Sequence, residues 1–525
     1  MENDTGSRAA GRQIPAYPKE ENRKSEDRCS RIREGRGKAL SLAASVLFAL
    51  AVGCMVLTGC GGTGADSGDG FVIDWKDDAL ENQMRIITGI TDRDITSGDA
   101  AILEELDLSG MGIRDISTLS SFKNLTVLKL GSNKISDISA LGSLDKLERL
   151  EISDNRVSDI SALENLTSLK SLYLNSNQIS DISALGSLGS LTELDASSNQ
   201  ISDYSALGGL TGLTALNLSD NHITDLKDLG NLTSLTMLQL GSNQISDIKG
   251  LESLENLEWL QISYNWIGDI SPLENLTNLK SLYISSNEIS DISALGSLTG
   301  LTSLNASYNQ ISDIQVLDSL TGLTELDVSY NQIGDIQALG SLGSLTRLNA
   351  SDNMISDIQV LGNLTGLTEL DVSFNQISDV QALESLADLE WLRIGSNQIS
   401  DISALDNLTN LKGLYLSSNP IGDISALGSL TGLTELEVSD DQISDISVLG
   451  SLTGLTELDA SYNQISDIGV LGNLTGLTML QLCSNRISDI SSLGGLIKLE
   501  YLNIEDNPVT DYSPIEELSI ESLIK

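Results

Sequence analysis

Hydrophobic residues recur along most of the chain at one constant interval, the interval that separates Asn133 from Asn155. In the copy around Asn155 the apolar positions are Leu147, Leu150, Ile152, Val157, Ile160, Leu163 and Leu166. The alternation at Leu150 and Ile152 predicts a short strand, whose side chains point to opposite faces. The later apolar positions, spaced by three residues, predict a tight 3₁₀ return.

This constant interval defines a long array. The same phase runs from Met111 to Asn507 without an insertion, so residues 101–519 are predicted to hold 19 copies. One copy cannot bury its own leucines, so neighbouring copies must stack and share a core. Their strands then pair in parallel about 4.8 Å apart. The predicted fold is an α/β solenoid with a concave parallel sheet and convex returns of 3₁₀ or short helix.

The two ends of the array need protection, because an uncovered first strand exposes a sheet edge and apolar side chains. Residues 71–100 precede the first complete copy and are predicted to be an N-terminal cap. Residues 520–525 are predicted to form the C-terminal end of the array.

A basic stretch and an apolar run precede the cap. Lysine and arginine collect between residues 28 and 38, and residues 39–58 are almost entirely apolar. The run ends in Leu57-Thr58-Gly59-Cys60, which resembles a bacterial lipobox, whose cysteine is lipidated. Residues 1–60 are therefore predicted to be a signal and anchor segment, with lipid on Cys60.

An uncleaved membrane anchor is the alternative interpretation of this segment, because about twenty apolar residues can span a bilayer. Both interpretations place the repeats outside the cytoplasm, on a bacterial cell surface and joined to the membrane at the N-terminus. The glycine-rich residues 61–70 are predicted to be a flexible tether.

The repeat L-x-x-L-x-L-x-x-N-x-I-x-D-I-x-x-L-x-x-L resembles the 22-residue leucine-rich repeat of the internalins, and the resemblance covers nearly four-fifths of the chain. Residues 71–100 resemble the cap that precedes such arrays. The resemblance implies a leucine-rich-repeat horseshoe and a surface protein, such as an adhesin, that binds a protein partner.

Composition narrows the function further. The net charge of −44 disfavours nucleic acid, whose phosphates require clustered lysine and arginine. One histidine and four scattered cysteines offer neither a histidine-based catalytic site nor a zinc cluster. We expect a chain without enzyme activity, without a cofactor and without bound metal.

Two polar residues recur with the leucines. The asparagine of each copy is predicted to bond buried backbone groups of neighbouring copies; the selected examples are Asn155, Asn177 and Asn243. An aspartate follows four residues later and is predicted to open the convex return as a cap or Asx turn; the examples are Asp137, Asp159 and Asp181. Stacked carboxylates that attract Ca²⁺ are the alternative interpretation of the aspartates.

Binding residues are expected on the concave face. Counted back from the repeat asparagine, positions −6, −4, −2 and −1 are predicted to face solvent. Aromatic residues concentrate there, and exposed aromatics on a rigid sheet are typical partner anchors. The candidate contacts are Trp259, Tyr283, Trp391, Tyr415, Tyr264, Tyr330, Phe374, Glu325, Asp327, Glu369 and Asp371. The alternative is that these aromatics pack on their neighbours and the acids are merely solvated.

Three functions remain open at this point. The leading one is a monomeric surface protein that binds a protein partner through the concave face. The second is a glycan-binding surface protein, since tryptophan, tyrosine and carboxylates also suit sugars. The third is a structural surface spacer.

Overall fold

The computed structural model describes residues 70–525. The predicted signal and anchor segment, the lipidation site Cys60 and the tether up to residue 69 lie outside the described residues. Within residues 70–525, no helix is long and apolar enough to cross a membrane.

One parallel sheet of twenty strands runs through the described chain, and each strand pairs with the next one in sequence. The strands are β1 (Glu105–Asp107), β2 (Val127–Lys129), β3 (Arg149–Glu151), β4 (Ser171–Tyr173), β5 (Glu193–Asp195), β6 (Ala215–Asn217), β7 (Met237–Gln239), β8 (Trp259–Gln261), β9 (Ser281–Tyr283), β10 (Ser303–Asn305), β11 (Glu325–Asp327), β12 (Arg347–Asn349), β13 (Glu369–Asp371), β14 (Trp391–Arg393), β15 (Gly413–Tyr415), β16 (Glu435–Glu437), β17 (Glu457–Asp459), β18 (Met479–Gln481), β19 (Tyr501–Asn503) and β20 (Ser522–Ile524).

A 3₁₀ helix follows every strand except the last, because only a few residues are available to turn the chain back. These helices are η1 (Ser117–Ser121), η2 (Ser139–Ser143), η3 (Ser161–Leu163), η4 (Ser183–Ser187), η5 (Ser205–Gly209), η6 (Leu229–Asn231), η7 (Lys249–Leu251), η8 (Ser271–Leu273), η9 (Ser293–Ser297), η10 (Gln315–Ser319), η11 (Gln337–Ser341), η12 (Gln359–Asn363), η13 (Gln381–Ser385), η14 (Ser403–Leu405), η15 (Ser425–Ser429), η16 (Ser447–Ser451), η17 (Gly469–Asn473), η18 (Ser491–Gly495) and η19 (Ser513–Ile515). The predicted solenoid of parallel strands and 3₁₀ returns is confirmed.

The leucine pattern sets the register of the sheet. In β8, Leu260 is fully buried between the outward residues Trp259 and Gln261. Leu260 stands opposite Leu282, the equivalent leucine of the next copy. A slip by one position would turn every such leucine to solvent, so the constant interval enforces one register. The buried side chains form a single core from Ile73 to Ile515.

Two helices cap the first copy. Helix α1 (Asp78–Thr88) buries Leu80 and Met84, and α2 (Ser97–Ala100) follows it. Asp77 caps α1 with one carboxylate oxygen and accepts hydrogen bonds from the backbone of Arg114 and Asp115 with the other. The same side chain therefore starts the helix and ties the cap to the first copy.

The opposite end closes with a strand that the repeat pattern does not predict. β20 pairs with β19 at a slightly shorter interval than the repeat, with Tyr501 opposite Ser522. The residues predicted only as a C-terminal end thus cover the last edge of the regular repeats.

Candidate functional site

The repeat asparagines hold adjacent copies together. Asn155 accepts a hydrogen bond from the Ile135 amide at 2.9 Å and donates to the Leu130 carbonyl of the preceding copy at 2.9 Å. It also donates to two carbonyls of its own turn. Asn177 and Asn243 repeat this arrangement. These amides satisfy buried backbone groups that would otherwise destabilise the fold.

Asp441 breaks this series of amides. Its Oδ1 accepts a hydrogen bond from the Asn419 amide at 2.8 Å. Its Oδ2 is buried without a hydrogen-bond partner, and only the protonated acid could donate from it to the carbonyls that an asparagine NH₂ would meet. Burial raises the pKa of Asp441 to about 8, so the side chain is largely neutral at pH 7.

The second recurrent residue, aspartate, lies on the convex side. Oδ1 of Asp137, Asp159 and Asp181 accepts a hydrogen bond from the backbone amide two residues later, at 2.8–2.9 Å. This geometry is an Asx turn that opens each 3₁₀ helix. The hydrogen bond lowers the pKa of all three carboxyls. In the part of the chain that the structure covers, no cluster of three or more His, Cys, Asp or Glu side chains is suited to a metal ion.

Position −1 forms a row of its own beside the strands. Eighteen copies place a non-glycine residue there with φ of 51–63°, the left-handed region, mostly serine or aspartate. Five copies place an aromatic residue there instead, and we call these the rim aromatics: Tyr264, Tyr308, Tyr330, Phe374 and Tyr462. Their exposed fractions are 44–64%, and the rings of Tyr308 and Tyr330 stack with centroids 4.0 Å apart.

The sequence prediction is wrong for several residues at position −2. This position is expected to face solvent, yet Ser263, Ser329 and Ser373 are buried. All three serines precede a rim aromatic, whereas Ser197, which precedes Ser198 in the same left-handed conformation, is half-buried. Ser329 donates from its amide and its hydroxyl to Oδ1 of Asp327, and Ser373 does the same to Asp371. These two candidate carboxylates therefore also serve the turn, and burial raises the pKa of Asp327.

The outer acids are more available. Glu369 is exposed on β13. Glu325 forms an ion pair with Arg347 of the next strand, and the two side chains remain 43% and 48% exposed. Such a pair contributes little to stability in water, so either side chain can be redirected to a partner.

The first candidate aromatic pair is Trp259 and Tyr283 on β8 and β9. The ring centroids lie 5.3 Å apart at an interplanar angle of 42°. Both side chains are half-buried. Ser281 stands beside Trp259 in register. The pair forms an aromatic step on the concave face.

The second candidate pair is Trp391 and Tyr415, six copies further on. Here the indole lies against Gly413, so closely that a methyl group on that glycine would collide with two ring carbons. Arg393 lies 4.6 Å over the Tyr415 ring, and the tyrosine hydroxyl donates to Glu435. Both side chains of this pair are thus occupied by contacts with other residues of the chain, and we call it the engaged pair.

The charges of the concave face are unevenly distributed. At positions −6 and −4, strands β6 to β10 carry no charged residue, and we call these ten positions the neutral segment: Ala215, Asn217, Met237, Gln239, Trp259, Gln261, Ser281, Tyr283, Ser303 and Asn305. Acidic strands flank it, with Glu193 and Asp195 on β5 and Glu325 and Asp327 on β11. The sequence prediction missed this segment, although reading positions −6 and −4 together in strand order would have found it.

Sequence reasoning also missed the contacts that engage the second pair. Arg393 on β14 and Glu435 on β16 flank Tyr415 on β15, and the hydrogen bond between Tyr415 and Glu435 joins two adjacent copies. Trp266, at position +1 and 57% exposed, was missed too. Including position +1 among the candidate outward positions would have found it.

An open solenoid of parallel strands, with outward side chains along one face and asparagine amides bonded between copies, defines a binding scaffold of the repeat class. A family model described as leucine-rich repeats in two copies matches residues 103–143, 145–187, 189–231, 211–253, 255–297, 299–341, 344–385, 388–429, 409–451, 453–493 and 475–517. The chain belongs to the leucine-rich-repeat family. The recognition of an internalin-like repeat is thus confirmed at the level of the family.

Several solved structures are similar to the chain. An internalin (InlF) of Listeria monocytogenes is 34% identical over 73% of this chain and 95% of its own, with a TM-score of 0.43. The plant peptide hormone receptor RGFR1, solved in complex with RGF2, is 23% identical over 79% of this chain and 76% of its own, with a TM-score of 0.64. A leucine-rich-repeat protein of Leptospira interrogans is 22% identical over 81% and 97%, with a TM-score of 0.50. A comparison with curated protein sequences finds no match.

Proposed function

We propose that the chain is a bacterial surface protein that binds a protein partner through its concave face and rim, and that it acts as an adhesin. The observation that carries this proposal is the row of rim aromatics. It acts as a monomer without catalysis, held to the membrane by lipid on Cys60.

The backbone holds the rim aromatics in place. The amide of Tyr330 donates to the Ser351 carbonyl at 3.0 Å, and the amide of Phe374 donates to the Gly395 carbonyl at 2.9 Å. Because these residues are anchored in the sheet, little conformational entropy is lost when a partner binds. Large exposed rings on a rigid support are the residues that contribute most at protein interfaces.

Acidic side chains next to the rim favour a basic partner. Glu325 and Glu369 are partly exposed on β11 and β13, in the copies that carry Tyr330 and Phe374. Their charges would steer lysine or arginine groups during approach and set the orientation of the complex. Asp327 and Asp371 would add to the same field from less accessible positions.

A solved structure of the same fold is consistent with protein binding. RGFR1 was solved with RGF2 bound, and it shares the fold with this chain. The proposed protein contacts on this chain are Tyr264, Tyr330, Phe374, Glu325, Asp327, Glu369 and Asp371.

A pull-down with the purified chain against surface-protein extracts tests the proposal. Replacing Tyr330 and Phe374 together by serine removes both rings while keeping the residue that serves this left-handed position at Ser242 and Ser396. We expect the affinity for the captured protein to fall about thirtyfold or more, since one interface aromatic typically contributes about 2 kcal/mol. Gln337→Ala, on the convex side, is the matched control. Unchanged binding in the folded serine variant would contradict the proposal.

The proposed lipidation of Cys60 has its own test. Cys60→Ala should leave an unprocessed precursor, because the lipid acceptor is lost. A Cys60→Ala chain that is processed and fractionates like the unmodified protein would contradict lipidation.

A further inference from the structure

The neutral segment is unusual for this molecule. The whole chain has a net charge of −44, yet ten outward positions on five successive strands carry no charge. Their side chains are amides, hydroxyls, two aromatics, one methionine and one alanine. The uncharged stretch ends on both sides at strands that carry carboxylates, β5 and β11.

Several polar groups in the segment are unused. Gln239 is only 7% exposed; its side-chain amide makes no hydrogen bond within residues 70–525, yet its polar atoms keep contact with solvent. The Tyr283 hydroxyl has none within the same part of the chain. Gln261 uses only its carbonyl oxygen, which accepts from the Gly241 amide at 2.9 Å. These groups are therefore free to hydrogen-bond to water or to a ligand that replaces that water.

An aromatic step lies among these groups. Trp259 and Tyr283 present their rings on neighbouring strands with centroids 5.3 Å apart. Gln239 and Gln261 occupy the adjacent positions of the −4 row. An apolar ring face beside amide donors and acceptors matches a sugar ring, which has C–H groups on its faces and hydroxyls around its edge.

We propose that the neutral segment binds an uncharged polysaccharide, with Trp259 as the stacking platform and Gln239, Gln261 and Tyr283 as hydrogen-bonding groups. The polysaccharide runs across the strands, along the rows of outward side chains. The site uses positions −6 and −4 rather than the rim position −1, and its test does not depend on the proposed protein partner.

Charge and hydrogen bonding select this ligand. An anionic polymer would meet Glu193 and Asp195 at one end and Glu325 and Asp327 at the other, and would be repelled. A basic partner is drawn to those carboxylates rather than to the segment between them. An apolar protein surface would leave the amides without partners, at about 1–3 kcal/mol for each buried group. Sugar hydroxyls both donate and accept.

Affinity electrophoresis of the full-length chain in detergent tests the proposal. The probes are three neutral polysaccharides, galactomannan, xyloglucan and glycogen, with polygalacturonate as the anionic control. We expect binding to at least one neutral probe and none to polygalacturonate. Trp259→Ala should weaken that binding at least about tenfold, and Gln239→Ala should weaken it to a smaller extent.

Trp391→Ala is the matched control, because it removes the same residue at the equivalent position of the engaged pair. It should leave polysaccharide binding within about twofold, as should the serine substitutions at Tyr330 and Phe374. Failure of every neutral probe to bind, equal binding of polygalacturonate, or binding that survives Trp259→Ala would overturn the proposal. Protein capture that depends on Trp259, with no polysaccharide bound, would assign the segment to a protein and also overturn it.

Discussion

Two regions of the concave face share nearly the same sequence but differ in what they can bind. Residues 257–260 and 389–392 both read Leu-Glu-Trp-Leu, and each tryptophan is followed by a tyrosine on the next strand. In the first region Trp259 and Tyr283 contact each other among uncharged neighbours. In the second region Tyr415 is bonded to Glu435 and covered by Arg393.

The difference lies in the neighbouring strands. Gln261, Ser303 and Asn305 of the first region correspond, six copies later, to Arg393, Glu435 and Glu437. In a repeat array each side chain meets the copies before and after it. An aromatic residue is therefore available to a ligand only when the outward residues of both neighbouring copies leave it free.

The largest effect is expected at Asp441, whose counterpart in the first region is Asn309. Asp441→Asn should stabilise the array by roughly 2 kcal/mol near pH 8, because it restores donors to buried carbonyls and removes an orphaned oxygen. The folded pKa of Asp441 is about 8 against an unfolded value of 3.8. The native protein therefore loses stability as pH rises from about 4 to about 8, and the advantage of asparagine grows over that range.

Melting temperatures of the two proteins between pH 4 and 9 check this. Asn309→Asp is the reciprocal variant, since Asn309 donates to three carbonyls, and it should destabilise the first region. A melting-temperature difference that is independent of pH would show that Asp441 is not a neutral buried acid.

The next effect concerns the neighbours of the first pair. Gln261→Arg with Ser303→Glu gives Tyr283 the surroundings of Tyr415. We expect polysaccharide affinity to fall about tenfold, because the tyrosine hydroxyl becomes engaged and two charges enter the segment. Affinity electrophoresis measures the loss of polysaccharide binding. Gln261→Asn with Ser303→Thr, which keeps the segment neutral, should retain more affinity than the charged variant, and the reverse order would contradict the interpretation.

A smaller effect is expected at Gly413. Its counterpart is Ser281, but a side chain at Gly413 would collide with the Trp391 indole. Gly413→Ser should displace the ring and cost about 1 kcal/mol, whereas Ser281→Gly should change stability less. Urea unfolding and a red shift of tryptophan fluorescence measure both. Equal stability of the two variants would mean that Trp391 is as free as Trp259.

The smallest effect is on tyrosine ionisation. Tyr173 resembles Tyr415, since its hydroxyl donates to Glu193 at 2.8 Å and Arg149 lies 4.5 Å over its ring. Burial and this carboxylate raise the pKa of Tyr173 to about 12. Glu193→Gln should lower it, which ultraviolet titration of the folded protein detects. No change would mean that burial alone sets the value.

The architecture could be predicted from the sequence because a constant period forces one answer. Once Leu150 and its equivalents must be buried, the strand, its parallel neighbour and the 3₁₀ return follow without a choice of topology. The cap and the outward aromatics could be found by the same reasoning.

Whether each outward aromatic side chain is free or in contact with other residues could not be predicted in that way. Whether Tyr415 bonds to Glu435, or Trp391 covers Gly413, depends on rotamers across copies, which a one-dimensional pattern does not contain. The burial of Ser329 at position −2 goes with the Tyr330 ring beside it, since Ser197, followed by Ser198 in the same backbone conformation, stays half-buried. Simple alternation along a strand does not anticipate this difference.

The central claim is that the first region is open to a ligand and the second is not. The chain has four tryptophans, so labelling with 5-fluorotryptophan gives four ¹⁹F signals that alanine variants can assign. When a neutral polysaccharide that binds the chain is added, we predict that the Trp259 signal shifts and the Trp391 signal stays. A shift at Trp391 with none at Trp259 would contradict the account.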